Sequence, residues 1–146
     1  MVDWDETVGQ TPQYSPSVFN FYQPEFQPNG PIADNNLVGP QFQIHNSSTA
    51  IGFINQLNYW VFEEPFPSGF EATDDVGVQL DYSDELSLVN NPTALVSRLD
   101  ILLGAGLLTD RTKGIVVDAI SQLDEEDRLP IAIYLIMMSP DYAVLK

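Results

Sequence analysis

The chain has 146 residues, 21 of them acidic and 5 basic, for a formal net charge of −16, and it has no cysteine. That length is enough for one domain with a real core, and the absence of cysteine excludes disulfide frameworks and thiolate metal sites. Residues 1–97 carry 13 acids and no Lys or Arg, whereas residues 98–146 carry 8 acids and all 5 bases, giving net charges of −13 and −3. A surface of this sign repels phosphate backbones, so nucleic acid is excluded as a partner. It suits either solvation in a saline habitat or docking against a basic partner surface.

The opening "MVDWDE" is acidic and has no apolar h-region, so no signal peptide is expected within this chain. Residues 1–45 hold Pro12, Pro16, Pro24, Pro28, Pro31 and Pro40 and show neither a helical nor a strand period. Each proline pushes the residue before it toward extended or polyproline geometry. "PNGP", Pro28 to Pro31, predicts a turn with Gly30 at positive φ. Tyr14, Phe19, Phe21, Tyr22, Phe26 and Phe42 give the segment more apolar area than a linker carries. It is therefore expected to be an extended arm, with Phe19, Phe21 and Phe26 as structural anchors.

Helical spacing begins after Asn46, Ser47 and Ser48, all good N-cap residues. Ile51, Ile54, Leu57, Asn58 and Val61 recur at helical intervals and predict a helix near 47–62. An acidic loop with two prolines and two glycines follows. "DYSDEL" predicts a short helix near 83–88, capped by Ser83. In "NPTALVSRLDILLGAG" Asn91 caps, Pro92 takes the first helical position and Gly104 supplies the stop, predicting a helix over 92–103. Its apolar stripe is Leu95, Leu99 and Leu102 or Leu103. Thr109 caps the next helix, 110–123, with Ile115, Val116, Ala119, Ile120 and Leu123 on one side.

The last helix, 130–138, is apolar all round and belongs inside a core. Pro130 predicts either its start or a kink. The acids of "DEED", Asp124 to Asp127, suit the positive end of a helix dipole. The run Ile131–Met138 is far shorter than the roughly 20 residues a membrane span needs. "SPDY" makes a terminal turn. The expected fold is all-α, a small helical bundle (46–146) with a long irregular Pro- and aromatic-rich N-terminal arm (1–45), forming one structural unit.

Chemistry-bearing patterns are sparse. His45 is the single histidine, so a histidine-based metal site is excluded, and its place at the arm-to-helix junction suits a hydrogen-bonded structural role. Ser15, Ser17 and Ser47 lack nucleophile-elbow context. Asp74, Asp75, Asp81 and Asp84 supply oxygen ligands that calcium would accept, but without the glycine and ligand spacing of an EF-hand loop. No phosphate-binding glycine loop is present. No catalytic residue and no cofactor is assigned.

Three stretches together resemble a known family. "GQTPQYSPSVFNFYQPEFQPNGPIADNNLVGPQFQI" is similar to a segment with a Pro-Ser-Val-Phe core, an aromatic–proline turn and a "GL-V-PEFQ"-like stretch, for which "NLVGPQFQ" stands here. "NPTALVSRLDILLGAGLLTDRTKGIVVDAI" resembles the paired helices of the same family. "AIYLIMMSPDYAVLK" resembles its closing "A-YL-x-x-SPEY" stretch, with Asp141 where Glu is commoner. These are marks of the C-terminal part of the bacterial family called domain of unknown function 1800. The resemblance implies a longer, mainly helical, exported protein, secreted or periplasmic, of which this chain is the C-terminal piece. It also implies that the family's histidine-bearing motif lies upstream of the matched region.

Three functions follow as expectations. The first is a structural or interaction module whose arm covers its own bundle, the preceding part of the same protein or another protein surface. The second is a substrate-cleft subdomain of an extracellular enzyme whose catalytic residues lie upstream, with Asn20, Tyr22, Phe42 and His45 as binding residues. The third is a calcium-stabilised surface module using Asp74, Asp75, Asp81 and Asp84.

Overall fold

A computed structural model describes residues 7–11, 13–63 and 81–143. The described residues are all-α, and their one β-type pairing is a single bridge between Ser17 and Asn20. The chain divides into two compact units, Met1–Gln56 and Leu57–Lys146. The division falls inside the helix expected over 47–62 rather than at residue 45. Along that helix Ile51 is exposed and Ile54 half-buried, whereas Gln56, Leu57 and Val61 are buried.

The first unit is built from tight turns. The N–H groups of Tyr14, Asn20 and Phe26 donate to the carbonyls of Thr11, Ser17 and Gln23, each three residues back. A short helix α1 (Pro31–Asp34) and a 3₁₀ turn (Pro40–Gln43) follow. The expected extended arm is thus corrected to a chain of turns. Prolines constrain φ and the residue before them, but the left-handed residues Gln13, Asn20, Gly30 and Asn36 reverse the chain between them. Gly30 sits at φ 106, directly before Pro31 at the first position of α1.

Helix α2 (Ser47–Asn58) starts at Asn46, whose Oδ1 accepts from the N–H groups of Ser48 (2.9 Å) and Thr49 (3.2 Å). The Asn46 N–H in turn donates to Thr49 Oγ1 at 3.0 Å, so donor and acceptor cap each other. Gly52 leaves room for the backbone of Thr7: a Cβ there would lie 1.8 Å from the Thr7 carbonyl oxygen.

In the second unit α2 passes into a π-helical turn, Tyr59–Glu63. There Phe62 meets Tyr134 edge-on, with centroids 5.4 Å apart and planes at 66°. Helices α3 (Ser83–Leu86), α4 (Pro92–Gly104), α5 (Asp110–Ile120), α6 (Glu125–Met137) and α7 (Pro140–Ala143) complete it. Helices α4, α5 and α6 pack pairwise on one another, and α6 also meets the π-helical turn and α7. Their shared core is Leu95, Val96 and Leu99 from α4, Val116 and Ile120 from α5, and Leu129, Ala132, Ile133 and Ile136 from α6.

Caps set the helix starts. Asn91 Oδ1 accepts from Ala94 N–H (3.1 Å) and Thr109 Oγ1 from Thr112 N–H (3.2 Å). For α3 the sequence expectation is corrected: Ser83 is the first helical residue, and Asp81 Oδ1 accepts its N–H at 2.9 Å. Helix α6 begins at Glu125 rather than at Pro130, which lies inside it. Proline there costs one backbone bond, and the arginine two residues earlier ties the start of the helix to its surroundings. Arg128 Nε donates to Leu123 O and Nη1 to Val89 O, both at 3.0 Å.

Gly104 does not stop α4 as expected. The left-handed residues are Ala105 (φ 52) and Gly106 (φ 75), and Gly104 is still helical. Its lack of a side chain matters for packing instead, since a Cβ would come 2.9 Å from both Asp100 Oδ1 and Leu108 Cγ. Ile115, expected on the inner face of α5, is 58% exposed, whereas Val116 and Ile120 are buried as expected.

Candidate interaction surface

Every buried large apolar side chain among the described residues belongs to the second unit. In the first unit Tyr14 is 78% and Val18 95% exposed, and Phe19, Leu37, Val38, Phe42 and Ile51 are exposed as well. Short turns explain this. A four-residue turn brings its own ends together but presents no face wide enough to cover a ring completely, so no described ring of this unit is fully buried.

Two hydrogen bonds fasten the aromatic stretches to each other. Gln23 N–H donates to Gln43 Oε1 at 2.7 Å, and Gly39 N–H donates to Phe26 O at 2.9 Å. The Phe42 ring lies over Gly39, where a Cβ would approach it to 2.8 Å. The segments carrying Phe26 and Phe42 are therefore held side by side. Phe21, Tyr22 and Phe26 are half-buried, and Phe19 is exposed.

Asn20 is exposed at φ 68, a left-handed position that asparagine tolerates better than most residues. His45 is exposed, its N–H donating to Gln41 O at 3.0 Å, and among the described residues its ring has no partner. The structure thus ties the neighbours of Tyr22 to the neighbours of Phe42, while Asn20 and His45 each answer to their own turn.

Of the calcium candidates, Asp74 and Asp75 lie outside the described residues. Asp81 accepts from the hydroxyl and N–H of Ser83, and those two bonds lower its pKa below the ordinary aspartate value. Asp84 is exposed, 3.7 Å from Arg98 Nη2. Among the described residues no three His, Cys, Asp or Glu side chains converge to hold a metal ion.

The second unit holds polar clusters that composition and spacing did not reveal. Glu85 is buried and accepts from Arg98 Nε at 2.9 Å. Burial, and then the charge of Glu85, push the Tyr82 hydroxyl up to about 12. Asp100, also buried, accepts Leu108 N–H at 3.0 Å through Oδ1, and its Oδ2 lies 3.5 Å from Lys113 Nζ. Asp141 Oδ2 accepts from Thr109 N–H, Thr109 Oγ1 and Thr112 Oγ1. In sequence only "SPDY" and the Thr109 cap hinted at this cluster.

These polar groups join elements within the second unit. A shallow groove of about 320 Å³ between α4 and α5 is lined by Thr93, Ser97, Lys113 and Asp118 among others. Lys113 is already shared by Asp100 and Asp110, each at 3.5 Å. Among the described residues no helix is long and apolar enough to cross a membrane. Set against family models, curated proteins and solved structures, the chain matches none of them.

Proposed function

We propose that this chain is a structural or interaction module, the C-terminal portion of a larger exported bacterial protein, and that its aromatic unit docks on the part of that protein which precedes it. The carrying observation is the exposure of Tyr14, Val18, Phe19, Leu37, Val38 and Phe42 in a unit whose described residues bury no large apolar side chain. Covering one phenylalanine side chain is worth roughly 1.5–3 kcal/mol, so several rings suffice to hold a docked surface without a strand ladder. Large exposed apolar area marks interaction sites. The occupant is suggested by the sequence resemblance, which rests on three motifs in order along the chain and implies a longer helical region upstream.

The test begins with the reading frame upstream of Met1, which should encode a helical region led by a signal peptide. That region, expressed separately, should bind this chain and slow amide exchange across residues 14–42. Phe19→Ala with Phe42→Ala should abolish binding while the melting of the second unit is unchanged. An upstream frame without such a region would overturn the proposal, and so would binding indifferent to both substitutions.

A further inference from the structure

Of the nine asparagines in the chain only Asn29 precedes a glycine. An asparagine side chain is consumed when the next residue's amide nitrogen attacks its Cγ, and three features of the structure favour that attack here. Asn29 is exposed, in the turn that leads into α1. The Gly30 N–H has no acceptor among the described residues, although the Gly30 carbonyl accepts from Asp34 N–H at 2.9 Å. The approach is open, with nothing within 4 Å of the place a Gly30 Cβ would take.

The other asparagines are hindered by identifiable bonds. Asn46 Oδ1 is engaged by Ser48 and Thr49. Asn91 Oδ1 accepts from Ala94, and its neighbour Pro92 has no N–H with which to attack. The nitrogens that would attack Asn35, Asn36 and Asn90 already donate to Ala33 O, Ile32 O and Leu88 O, at 2.9, 2.9 and 2.8 Å. Asn55 and Asn58 lie inside α2, and Asn20 is followed by the bulky Phe21.

We propose that Asn29 is a self-modification site at which Gly30 closes a succinimide and converts the asparagine to aspartate or isoaspartate. Solvent base removes the Gly30 amide proton, the nitrogen bonds to Asn29 Cγ, the Cγ–Nδ2 bond breaks, and ammonia leaves with the proton it needs. One water then opens the ring. Cleavage of the new N–Cγ bond gives aspartate, and cleavage of the original peptide bond gives isoaspartate. The net change is one water consumed and one ammonia released, with no oxidation. The site lies inside the loop closed by Gly39 N–H on Phe26 O, so isoaspartate lengthens the main chain within the aromatic unit by one methylene.

The experiment incubates the intact chain in mildly alkaline buffer and follows its peptides by mass spectrometry, with isoaspartyl methyltransferase labelling as a second readout. The peptide bearing Asn29 should gain the mass of an amide-to-acid exchange and accept the label, while the Asn46 and Asn91 peptides remain unchanged. Gly30→Ala and Asn29→Gln should each abolish both signals, and in urea the Asn46 peptide should begin to react. An Asn29 peptide that keeps its amide while another asparagine reacts first would overturn the proposal, as would a Gly30→Ala rate equal to that of the parent chain.

Discussion

Asp141 Oδ2 accepts both the backbone N–H of Thr109, at 3.0 Å, and its hydroxyl, at 2.7 Å. It takes a third bond from the Thr112 hydroxyl at 2.6 Å, so one carboxylate fastens the C-terminal turn to the first turn of α5. Anions at a helix N-terminus also favour the positive end of its dipole. Asp141→Ala should lower the unfolding free energy by about 1–3 kcal/mol, the range for hydrogen bonds to a charged acceptor with one side solvated. Urea denaturation measures it, and Thr112→Val should cost less in the Asp141→Ala background than in the parent.

Ala105 occupies a left-handed position, φ 52, at the end of α4. Ala105→Gly removes about 1–2 kcal/mol of local strain and gives back about 0.4–1 kcal/mol through the freer unfolded chain. A net gain of ~0.5–1 kcal/mol, seen as a higher urea midpoint at unchanged slope, is the expected outcome. Gly104→Ala should do the reverse, because its Cβ would press on Asp100 and Leu108.

Gly52→Ala sets two effects against each other. Alanine favours a helix interior by about 1 kcal/mol over glycine, yet its Cβ would fall 1.8 Å from the Thr7 carbonyl oxygen. No rotamer relieves a Cβ contact with backbone, so the clash wins. Amide exchange should accelerate at residues 7–11 while α2 itself stays protected.

The Tyr82 hydroxyl should ionise late, its pKa raised to about 12 by burial and by Glu85. A raised folded pKa means that the folded state favours the neutral phenol. Its contribution to stability is whole below the ordinary tyrosine value of about 10 and is lost as pH rises toward 12. Ultraviolet titration should show a late phenolate step that Tyr82→Phe removes.

Local chemistry made the helix starts legible. Asn91, Pro92 and Thr109 sit where a cap and a first-turn proline must sit, and the apolar length of Ile131–Met138 marked α6 as central. What sequence could not supply was the neighbour. Ile51 and Ile115 fall at good helical intervals yet face outward, because a stripe is buried only where another element lies over it. Gly104 reads as a stop by type, but its role comes from Leu108 folding back over it. Asp141 and Thr109 lie 32 residues apart, so neither periodicity nor spacing connects the two. In the first unit prolines foretold irregularity, and hydrogen bonds such as Gly39 to Phe26 decided its course. Among the candidate binding residues, the tie between the neighbourhoods of Tyr22 and Phe42 depends on Gln43, a side chain with no distinguishing sequence signal.

The cations are spent internally. Arg98 is taken by Glu85 and Asp84, Lys113 by Asp100 and Asp110, and Arg128 by two main-chain carbonyls, leaving Arg111 as the one basic side chain among the described residues without such a partner. With a net charge of −16, copies of the molecule repel one another at low ionic strength. Dissolved salt screens that mutual repulsion within about 10 Å at 0.1 M while barely touching the sheltered Glu85–Arg98 pair. Association between copies should therefore meet less resistance in brine than in pure water.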